Sequence, residues 1–416
     1  MRIKLFKLLL VAVLTSFPLN VFALFGNNST GGMSEIYLDN TRIKVNGGFI
    51  DGYEENSISV TGKGIDLSLT VDNSGSKDNR NISILISNIN PNISKIVGLA
   101  DGKVKKGVNS LSFDATVKAK KLEVYKVGHN FPQEGYKFIV FGESKGGEHV
   151  LKRILGDINY RKPLFAVSLG DMIEKADPDE FEDFIDEKAA TAVPFLTVPG
   201  VAEIDGGSRK LYENYLGQPY YSFDFKNAHF VFLDNADGTM SENQFIWLKN
   251  DLMQSKAVHT FVFAHLPPFD PRPGRPEPMG VGKQYKRLTA IFEKYNVSRV
   301  FTGGIHGYFR EVRGGIPYII TGGGGSELES PDSFYNYIIV NVDGDKVKDK
   351  LIKLTMPPLG LYDSVVFKVK HFIKDSFEVH PVKSTIYVIV ILIVLYFILR
   401  GLIQLFFVSS KRRGRL

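Results

Sequence analysis

The sequence of 416 residues contains no cysteine, no internal repeat and no low-complexity tract. Without cysteine there is no disulfide framework, so the fold must depend on its apolar core even in an oxidising compartment. The glycine-rich stretch at 321–326 lacks the spacing and the following lysine of a phosphate-binding P-loop. We therefore interpret it as a turn at the end of a strand.

The folded part of the chain also lacks an excess of basic residues. The whole chain has 51 Lys and Arg against 45 Asp and Glu. Eight of the basic residues lie in 1–23 and 386–416, which contain no acidic residue, so the remainder has 43 basic and 45 acidic residues. A nucleic-acid-binding protein carries its basic excess on the folded part. The charge distribution therefore predicts no nucleic-acid partner.

The two ends of the chain indicate a membrane protein. Residues 1–23 have the basic start, apolar middle and small residues before the cleavage point of a signal peptide. Residues 386–408 carry one charge, Arg400, and are long enough to cross a bilayer as a helix. The basic tail at 409–416 is typical of a cytoplasmic segment. We expect a single-pass membrane protein with its N-terminal bulk extracytoplasmic, in a periplasm, a lumen or at the cell surface, and with a juxtamembrane linker at 358–385.

The remaining residues divide into two parts with different hydrophobic patterns. Residues 34–127 alternate with period two, as at Ile65, Leu67 and Leu69, and predict a small antiparallel β-sandwich. From residue 135 onwards apolar strands alternate with helical patterns. This alternation predicts an α/β domain with a parallel sheet at 135–357.

Polar residues follow four strands of the predicted α/β domain: Glu143 with Lys145, then Asp171, His265 and His306. Side chains at the carboxyl ends of strands in one sheet converge on one crevice. Carboxylates and imidazoles suit Mn, Fe or Zn. Taken singly, a histidine near a strand end is more often a structural residue, and a Gly-Asp pair after a strand is more often a turn or a helix cap. Together, the ordered set predicts a metal site.

The order of these residues resembles the calcineurin-like metallophosphoesterase family, particularly the purple acid phosphatases. That family has D-x-H, G-D, G-N-H-[DE], a strand-end histidine and G-H-x-H in this order. The resemblance covers residues 137 to about 340. It implies an α/β fold of the metallophosphoesterase type, a β-sandwich flanked by helices with a two-metal centre at its strand ends. The segment ahead of it also resembles the N-terminal sandwich of purple acid phosphatases.

The resemblance implies that the metal site is incomplete. Glu143 takes the place of the first aspartate, Lys145 that of the D-x-H histidine, and Asp171 that of the aspartate shared by both metals. One metal then retains Glu143, Asp171 and His306, and the other retains Asp171 and His265. In G-H-x-H the first histidine is a glycine. We expect at most one divalent ion, Mn, Fe or Zn, or none.

The loop at 200–203 has, at positions 201 and 202, no side chain that can bind a metal or transfer a proton. It reads Gly-Val-Ala-Glu where the family has G-N-H-E, so Val201 replaces the ligating asparagine and Ala202 the histidine that assists the leaving group. Two-metal hydrolysis clamps the attacking and leaving oxygens between two ions. No catalytic residue is therefore predicted here, and a two-metal phosphodiesterase is disfavoured.

Three other side chains are candidates for ligand binding or for replacing an ion. Lys145 could supply a cation between Glu143 and Asp171, or it could point to solvent. Arg272 and Arg275, in the Pro/Gly-rich loop at 267–283, could bind an anionic ligand, although solvated arginines are commoner.

Three functional hypotheses follow from the sequence. The favoured one is a membrane-anchored phosphoesterase-like protein, catalytically impaired, that binds a protein partner or a phosphorylated ligand or acts as a scaffold. The second is a phosphoric ester hydrolase with a mononuclear metal site. In the third, the β-sandwich binds the partner and the α/β domain supports it.

Overall fold

A computed structural model describes residues 32–355, except 100–101, 132–133, 208, 273–283 and 331, and positions 396 and 400. The predicted signal peptide at 1–23, and apart from those two positions the predicted membrane helix at 386–408 with its basic tail, lie outside the described residues. Within the described ranges, no helix has the length and apolar character needed to cross a membrane.

The N-terminal part forms ten strands in two sheets. The strands are β1 Glu35–Leu38, β2 Thr41–Asn46, β3 Gly48–Glu54, β4 Ser57–Gly62, β5 Leu67–Asp72, β6 Arg80–Ser87, β7 Ser94–Val97, β8 Lys105–Lys106, β9 Leu111–Val117 and β10 Leu122–His129. Sheet A has the order β1-β2-β5-β10-β7 and sheet B the order β3-β4-β6-β9-β8. The alternating apolar residues of both sheets, such as Ile43, Val60 and Leu69, pack into one buried cluster.

The prediction of an antiparallel sandwich is wrong at one pair, because β4 and β6 run parallel. Strand β5 lies in the other sheet, so the chain crosses over and returns to sheet B in the same direction. The ten strands belong to the same compact unit as the residues that follow them, as far as Leu354. That residues 34–127 form a separate domain therefore stays a prediction.

The second part alternates strands and helices, as its sequence pattern predicts. Its strands are β11 Tyr136–Phe141, β12 Ala166–Ser168, β13 Phe195–Thr197, β14 Tyr221–Phe225, β15 Ala228–Phe232, β16 His259–Ala264, β17 Arg299–Thr302, β18 Tyr308–Arg313, β19 Ile316–Thr321, β20 Asn336–Asp343 and β21 Lys346–Lys353. Its helices are α1 Glu148–Arg161, α2 Pro178–Ala189, α3 Lys210–Leu216, α4 Glu242–Gln254 and α5 Tyr285–Lys294, with a 3₁₀ helix at Ala202–Gly207. The seven-residue α3 was not predicted, because a helix of that length shows no clear apolar period.

Two sheets with parallel centres form the core of the second part. Sheet C has the order β13-β12-β11-β20-β21 and sheet D the order β14-β15-β16-β17-β19-β18. Strands β11 to β13 are parallel to one another, and so are β15, β16, β17 and β19. The sheets pack through phenylalanines: Phe138 of sheet C lies 5.2 Å from Phe261 of sheet D, measured between ring centroids. Helices α4 and α5 pack on the other face of sheet D.

Local capping explains where two of the helices begin. The Asp177 carboxylate accepts the N–H of Asp179 ahead of α2, and Pro178 occupies the first turn, where it needs no hydrogen-bond acceptor. The Ser241 hydroxyl accepts the N–H of Gln244 at the start of α4. These two caps therefore fix the first turns of α2 and α4.

Specific polar contacts join the N-terminal sheets to sheet C and to the loops around it. The Asn88 side chain donates to the carbonyl of Phe195 (3.1 Å) and accepts its N–H (2.8 Å), which satisfies the edge of β13 as another strand would. The Lys63 ammonium donates to the carbonyl of Leu216 (2.8 Å) and lies 4.0 Å from the centre of the Tyr221 ring. The two parts are therefore fixed to each other by buried hydrogen bonds.

A buried histidine lies between two aspartates at the edge of sheet D. His229 is 3% exposed, and its ring nitrogens lie 2.7 Å from Asp224 Oδ1 and 2.8 Å from Asp251 Oδ2. Burial lowers the pKa of His229, but the hydrogen bonds and charges of Asp251 and Asp224 outweigh it, and the pKa is raised overall. The arrangement therefore favours the imidazolium.

We predict that Asp251→Asn destabilises the fold more at acidic than at alkaline pH. Because the pKa of His229 is raised, its pairing stabilises the fold fully below 6.5, the ordinary histidine value, and is lost as pH rises through the folded pKa. The expected loss in free energy of unfolding is about 1–3 kcal/mol near pH 6, and less near pH 8.5, by urea denaturation. Asp224→Asn is the control and should cost less, because the Asp224 side chain is 70% exposed. The same loss at both pH values would contradict an imidazolium at this position.

Candidate metal centre at the strand ends

Four predicted site residues lie at the carboxyl ends of strands in sheets C and D. Glu143 follows β11, Asp171 follows β12, His265 follows β16 directly, and His306 follows β17. Ligand atoms of Glu143, Asp171 and His265 lie within 4.8 Å of one another, and all three side chains are buried. The sequence predicted this convergence. In the structure, His265 lies as near to Glu143 (3.6 Å) as to Asp171 (3.7 Å). The resemblance had grouped His265 with Asp171 and had assigned Glu143 to the other metal.

The two carboxylate residues have left-handed backbone conformations. Glu143 has φ of +62° and Asp171 has φ of +52°, and such a conformation costs about 1–3 kcal/mol for a residue with a side chain. Hydrogen bonds between the two loops hold it: Glu143 N donates to Gly170 O (3.1 Å), and the N–H groups of Ser144 and Lys145 both donate to Asp171 O (3.0 Å). The crevice is therefore shaped by backbone contacts between the ends of β11 and β12.

His265 is held with one ring nitrogen directed towards Asp171. Its Nδ1 lies 2.8 Å from Leu169 O, and since a carbonyl can only accept, Nδ1 carries the proton. The Asn235 side chain accepts the N–H groups of His265 and Leu266 (both 3.1 Å), which fixes the end of β16. Nε2 lies 3.7 Å from Asp171 Oδ1, and in the neutral ring its lone pair faces that side, as in a metal-binding histidine.

Glu143 lies between a backbone amide and His306. Its Oε1 accepts the N–H of Gly304 (2.7 Å), and its Oε2 lies 3.1 Å from His306 Nε2. His306 Nδ1 donates to the carbonyl of Glu327 (2.6 Å), so Nε2 can donate to Glu143 only when the ring is charged. Burial lowers the pKa of His306, but Glu143 outweighs it and the pKa is raised. His306 therefore favours a salt bridge to Glu143.

Lys145 pairs with the aspartate that the resemblance assigns to both metals. Its ammonium donates to Asp171 Oδ2, and its side chain is 27% exposed, so it does not point freely to solvent. Burial lowers the pKa of Lys145, while the hydrogen bond and charge of Asp171, with Glu143 and Glu203, raise it overall. Burial raises the pKa of Asp171, but the charge of His265, the Ala202 N–H and Lys145 outweigh burial, and the pKa is lowered overall. Both groups are therefore charged at neutral pH.

The loop at 200–203 contributes its backbone and one carboxylate to the site. Ala202 N donates to Asp171 Oδ1 (3.0 Å), and the Val201 side chain is 51% exposed. The buried Glu203 carboxylate accepts four backbone N–H groups, those of Gly200 (2.7 Å), Asp171 (2.9 Å), Met172 (2.7 Å) and Ile173 (3.2 Å). No role for Glu203 was predicted from the sequence. The feature that could have indicated one is that the acid of G-N-H-E is present, although the two residues before it are replaced.

The donor set fits one divalent ion and not two. Glu143, Asp171 and His265 offer buried ligand atoms within 4.8 Å of one another. Against an ion, Asp171 already binds the Lys145 ammonium and the Ala202 N–H. The resemblance places two ligands of a second ion at positions 201 and 304, where this chain has valine and glycine.

One of the two predicted ligand-binding arginines, Arg272, is paired with a carboxylate. The Arg272 guanidinium binds the buried Asp270 carboxylate, with Nη2 2.7 Å from Oδ2. These contacts therefore do not support the prediction that Arg272 binds an anionic ligand, because the nearby carboxylate neutralises the charge of its guanidinium. Arg275 lies outside the described residues.

The second part of the chain is similar to known proteins. The sequence model of the calcineurin-like phosphoesterase family matches residues 136–308. A protein of Fibrobacter succinogenes named as a probable cyclic nucleotide phosphodiesterase is 27% identical over 103 residues, which are 24% of this chain and 40% of that protein. This chain therefore spans less than half the length of that relative.

Two solved structures are similar to this chain at low sequence identity. The purple acid phosphatase PPD1 of yellow lupin (Lupinus luteus) seeds is 15% identical, with a TM-score of 0.47 over 70% of each chain. A dimetal phosphatase of Danio rerio is 16% identical, with a TM-score of 0.43 over 53% of this chain and 99% of that one.

We predict that Glu203→Gln destabilises the fold by about 2–4 kcal/mol, because the new amide replaces two acceptor positions by a donor facing backbone N–H groups. Urea denaturation would measure the loss. Val201→Ala in the same loop is the matched control, and should change the stability by less than about 0.5 kcal/mol because the side chain is exposed. Equal effects of the two substitutions would show that the four hydrogen bonds do not stabilise the crevice.

Proposed function

Because residues 136–308 form a calcineurin-like phosphoesterase domain, we propose that this chain is a membrane-anchored, extracytoplasmic member of that family with impaired catalysis. In this proposal the domain acts as a scaffold or binds a protein partner or a phosphorylated ligand. The main support is the ion pair between Lys145 and Asp171, since a protein cation occupies the carboxylate that the resemblance assigns to two metal ions.

Electrostatics support the loss of catalysis. Lys145 supplies one positive charge, whereas two divalent ions supply four and also hold the attacking and leaving oxygens. The Ala202 side chain cannot protonate a leaving group, and losing a general acid costs roughly 10²- to 10⁴-fold in rate. Together these changes leave a crevice that can bind but lacks the groups for two-metal hydrolysis.

The sequence supports the anchor and the location. Residues 386–408 are mostly apolar and carry one charge, Arg400, the following tail is basic, and residues 1–23 have the pattern of a signal peptide. This arrangement would place the crevice outside the cytoplasm. A ligand carrying a phosphate group would meet Lys145 and His306 there, both of which are 27% exposed and favoured as cations.

A mononuclear hydrolase is the second candidate, favoured by the buried group of Glu143, Asp171 and His265. One divalent ion held by these three residues would polarise a phosphoryl oxygen as a Lewis acid. His265 is already oriented for ligation by Leu169 O and Asn235. Lys145 would then have to leave Asp171 or share it with the ion.

We predict that hydrolysis does not depend on Asp171. With Mn²⁺ or Zn²⁺ added, the full chain and its Asp171→Asn variant should hydrolyse p-nitrophenyl phosphate and bis(p-nitrophenyl) phosphate at the same background rate, because the two-ion clamp cannot form. Circular dichroism would establish that the variant is folded. A wild-type rate about tenfold or more above that of the variant would instead support the mononuclear hydrolase.

We also predict that Lys145→Met raises the affinity for Mn²⁺ by about tenfold or more and lowers the stability of the metal-free chain. Removing the ammonium leaves Glu143 and Asp171 with an uncompensated charge that an ion can neutralise. Calorimetric titration and thermal unfolding with and without Mn²⁺ would measure both effects. Lys175→Met is the matched control, because the Lys175 side chain is 63% exposed. Unchanged affinity and stability in Lys145→Met would contradict the replacement of an ion by Lys145.

A further inference from the structure

One face of sheet C carries a row of lysines outside the crevice. Lys346, Lys348 and Lys350 alternate along β21 and are exposed, so they lie on the same face about 7 Å apart. Lys137 of β11 joins them, because it lies opposite Asn341 of β20, which lies opposite Lys348. We call these four residues the lysine face.

No carboxylate of the described residues neutralises the lysine face by a direct ion pair. Asp349 of β21 points to the other face, where it pairs with Arg299 and Arg310. Asp343 is the cross-strand neighbour of Lys346, and Asp345 lies in the adjoining turn. The surplus of positive charge is therefore centred on Lys137, Lys348 and Lys350.

Protection of a sheet edge does not account for all of these lysines. Among the described strands, β21 lies at one edge of sheet C, and lysines on edge strands prevent pairing with other chains. Lys137, however, lies on β11 in the middle of the sheet, where there is no edge to protect. A flat basic face that reaches across three strands instead fits an extended anionic surface.

We propose that the lysine face docks on the anionic lipid headgroups of the membrane that holds residues 386–408, an inference that rests on the proposed membrane anchor. A lysine close to an anionic bilayer strengthens binding about fivefold, and the attraction extends over about 8 Å in physiological salt. Residues 355–385 have a contour length of at most about 110 Å, so the lysine face would stay within reach of a membrane that holds residues 386–408. The tether and the charges together would therefore orient the domain on the membrane.

The test uses the full chain in nanodiscs made of phosphatidylcholine, with or without phosphatidylglycerol. Acetylation of each lysine by an N-hydroxysuccinimide ester is followed by mass spectrometry. At Lys137, Lys348 and Lys350 the rate should fall about threefold or more in the anionic discs, and about 0.5 M NaCl should restore it. Lys118, Lys120 and Lys121, which are exposed between β9 and β10, should react equally in both kinds of disc.

Two matched variants separate docking from the chemistry of single lysines. In the triple variant with Lys346, Lys348 and Lys350 each changed to Gln, Lys137 should react as fast in anionic as in neutral discs. In the control with Lys118, Lys120 and Lys121 each changed to Gln, Lys137 should stay protected. Thermal unfolding of both variants checks that they are folded.

The outcomes distinguish this inference from the proposed anchor. A chain that enters the discs but shows equal acetylation rates in both lipids would overturn the lysine face as a docking surface and leave the anchor in place. A chain that enters neither kind of disc would overturn the anchor, and the docking inference with it.

Discussion

The buried carboxylate of Glu203 holds the crevice together, because backbone N–H groups from two strand-end loops converge on it. Gly200 donates from the loop after β13, and Asp171, Met172 and Ile173 donate from the loop after β12. A buried N–H group without an acceptor costs about 1–3 kcal/mol. These four hydrogen bonds of the loop after β13 and the loop after β12 involve neither the Val201 side chain nor the Ala202 side chain.

The crevice also has to balance buried negative charge. Glu143, Asp171 and Glu203 are all nearly inaccessible to solvent, and burial together with the Asp171 charge raises the pKa of Glu203 to about 7. Lys145 pairs with Asp171, and His306 lies against Glu143. Two cations of the protein itself therefore lie against the buried carboxylates of the crevice.

Much of the site could be predicted from the sequence, because alternating strands and helices build parallel sheets whose carboxyl ends meet. From the sequence, Lys145 could either lie between Glu143 and Asp171 or point to solvent. Choosing between these alternatives needed the distance between the loops that follow β11 and β12. The role of Glu203 and the parallel pairing of β4 with β6 could not be predicted, since both depend on which segments meet in space. The approach of His265 to Glu143 is set by Leu169 O and Asn235, two contacts distant in sequence.

The left-handed conformations of Glu143 and Asp171 bear on what the crevice can still do. Such strain persists only where the surroundings fix the backbone in several ways. Here the N–H of Glu143 is held by Gly170 O, its Oε1 by the Gly304 N–H, and the N–H of Asp171 by Glu203. These bonds between protein groups hold the crevice in one shape. A rigid polar surface loses little conformational entropy when it binds a partner, which favours the proposed binding role.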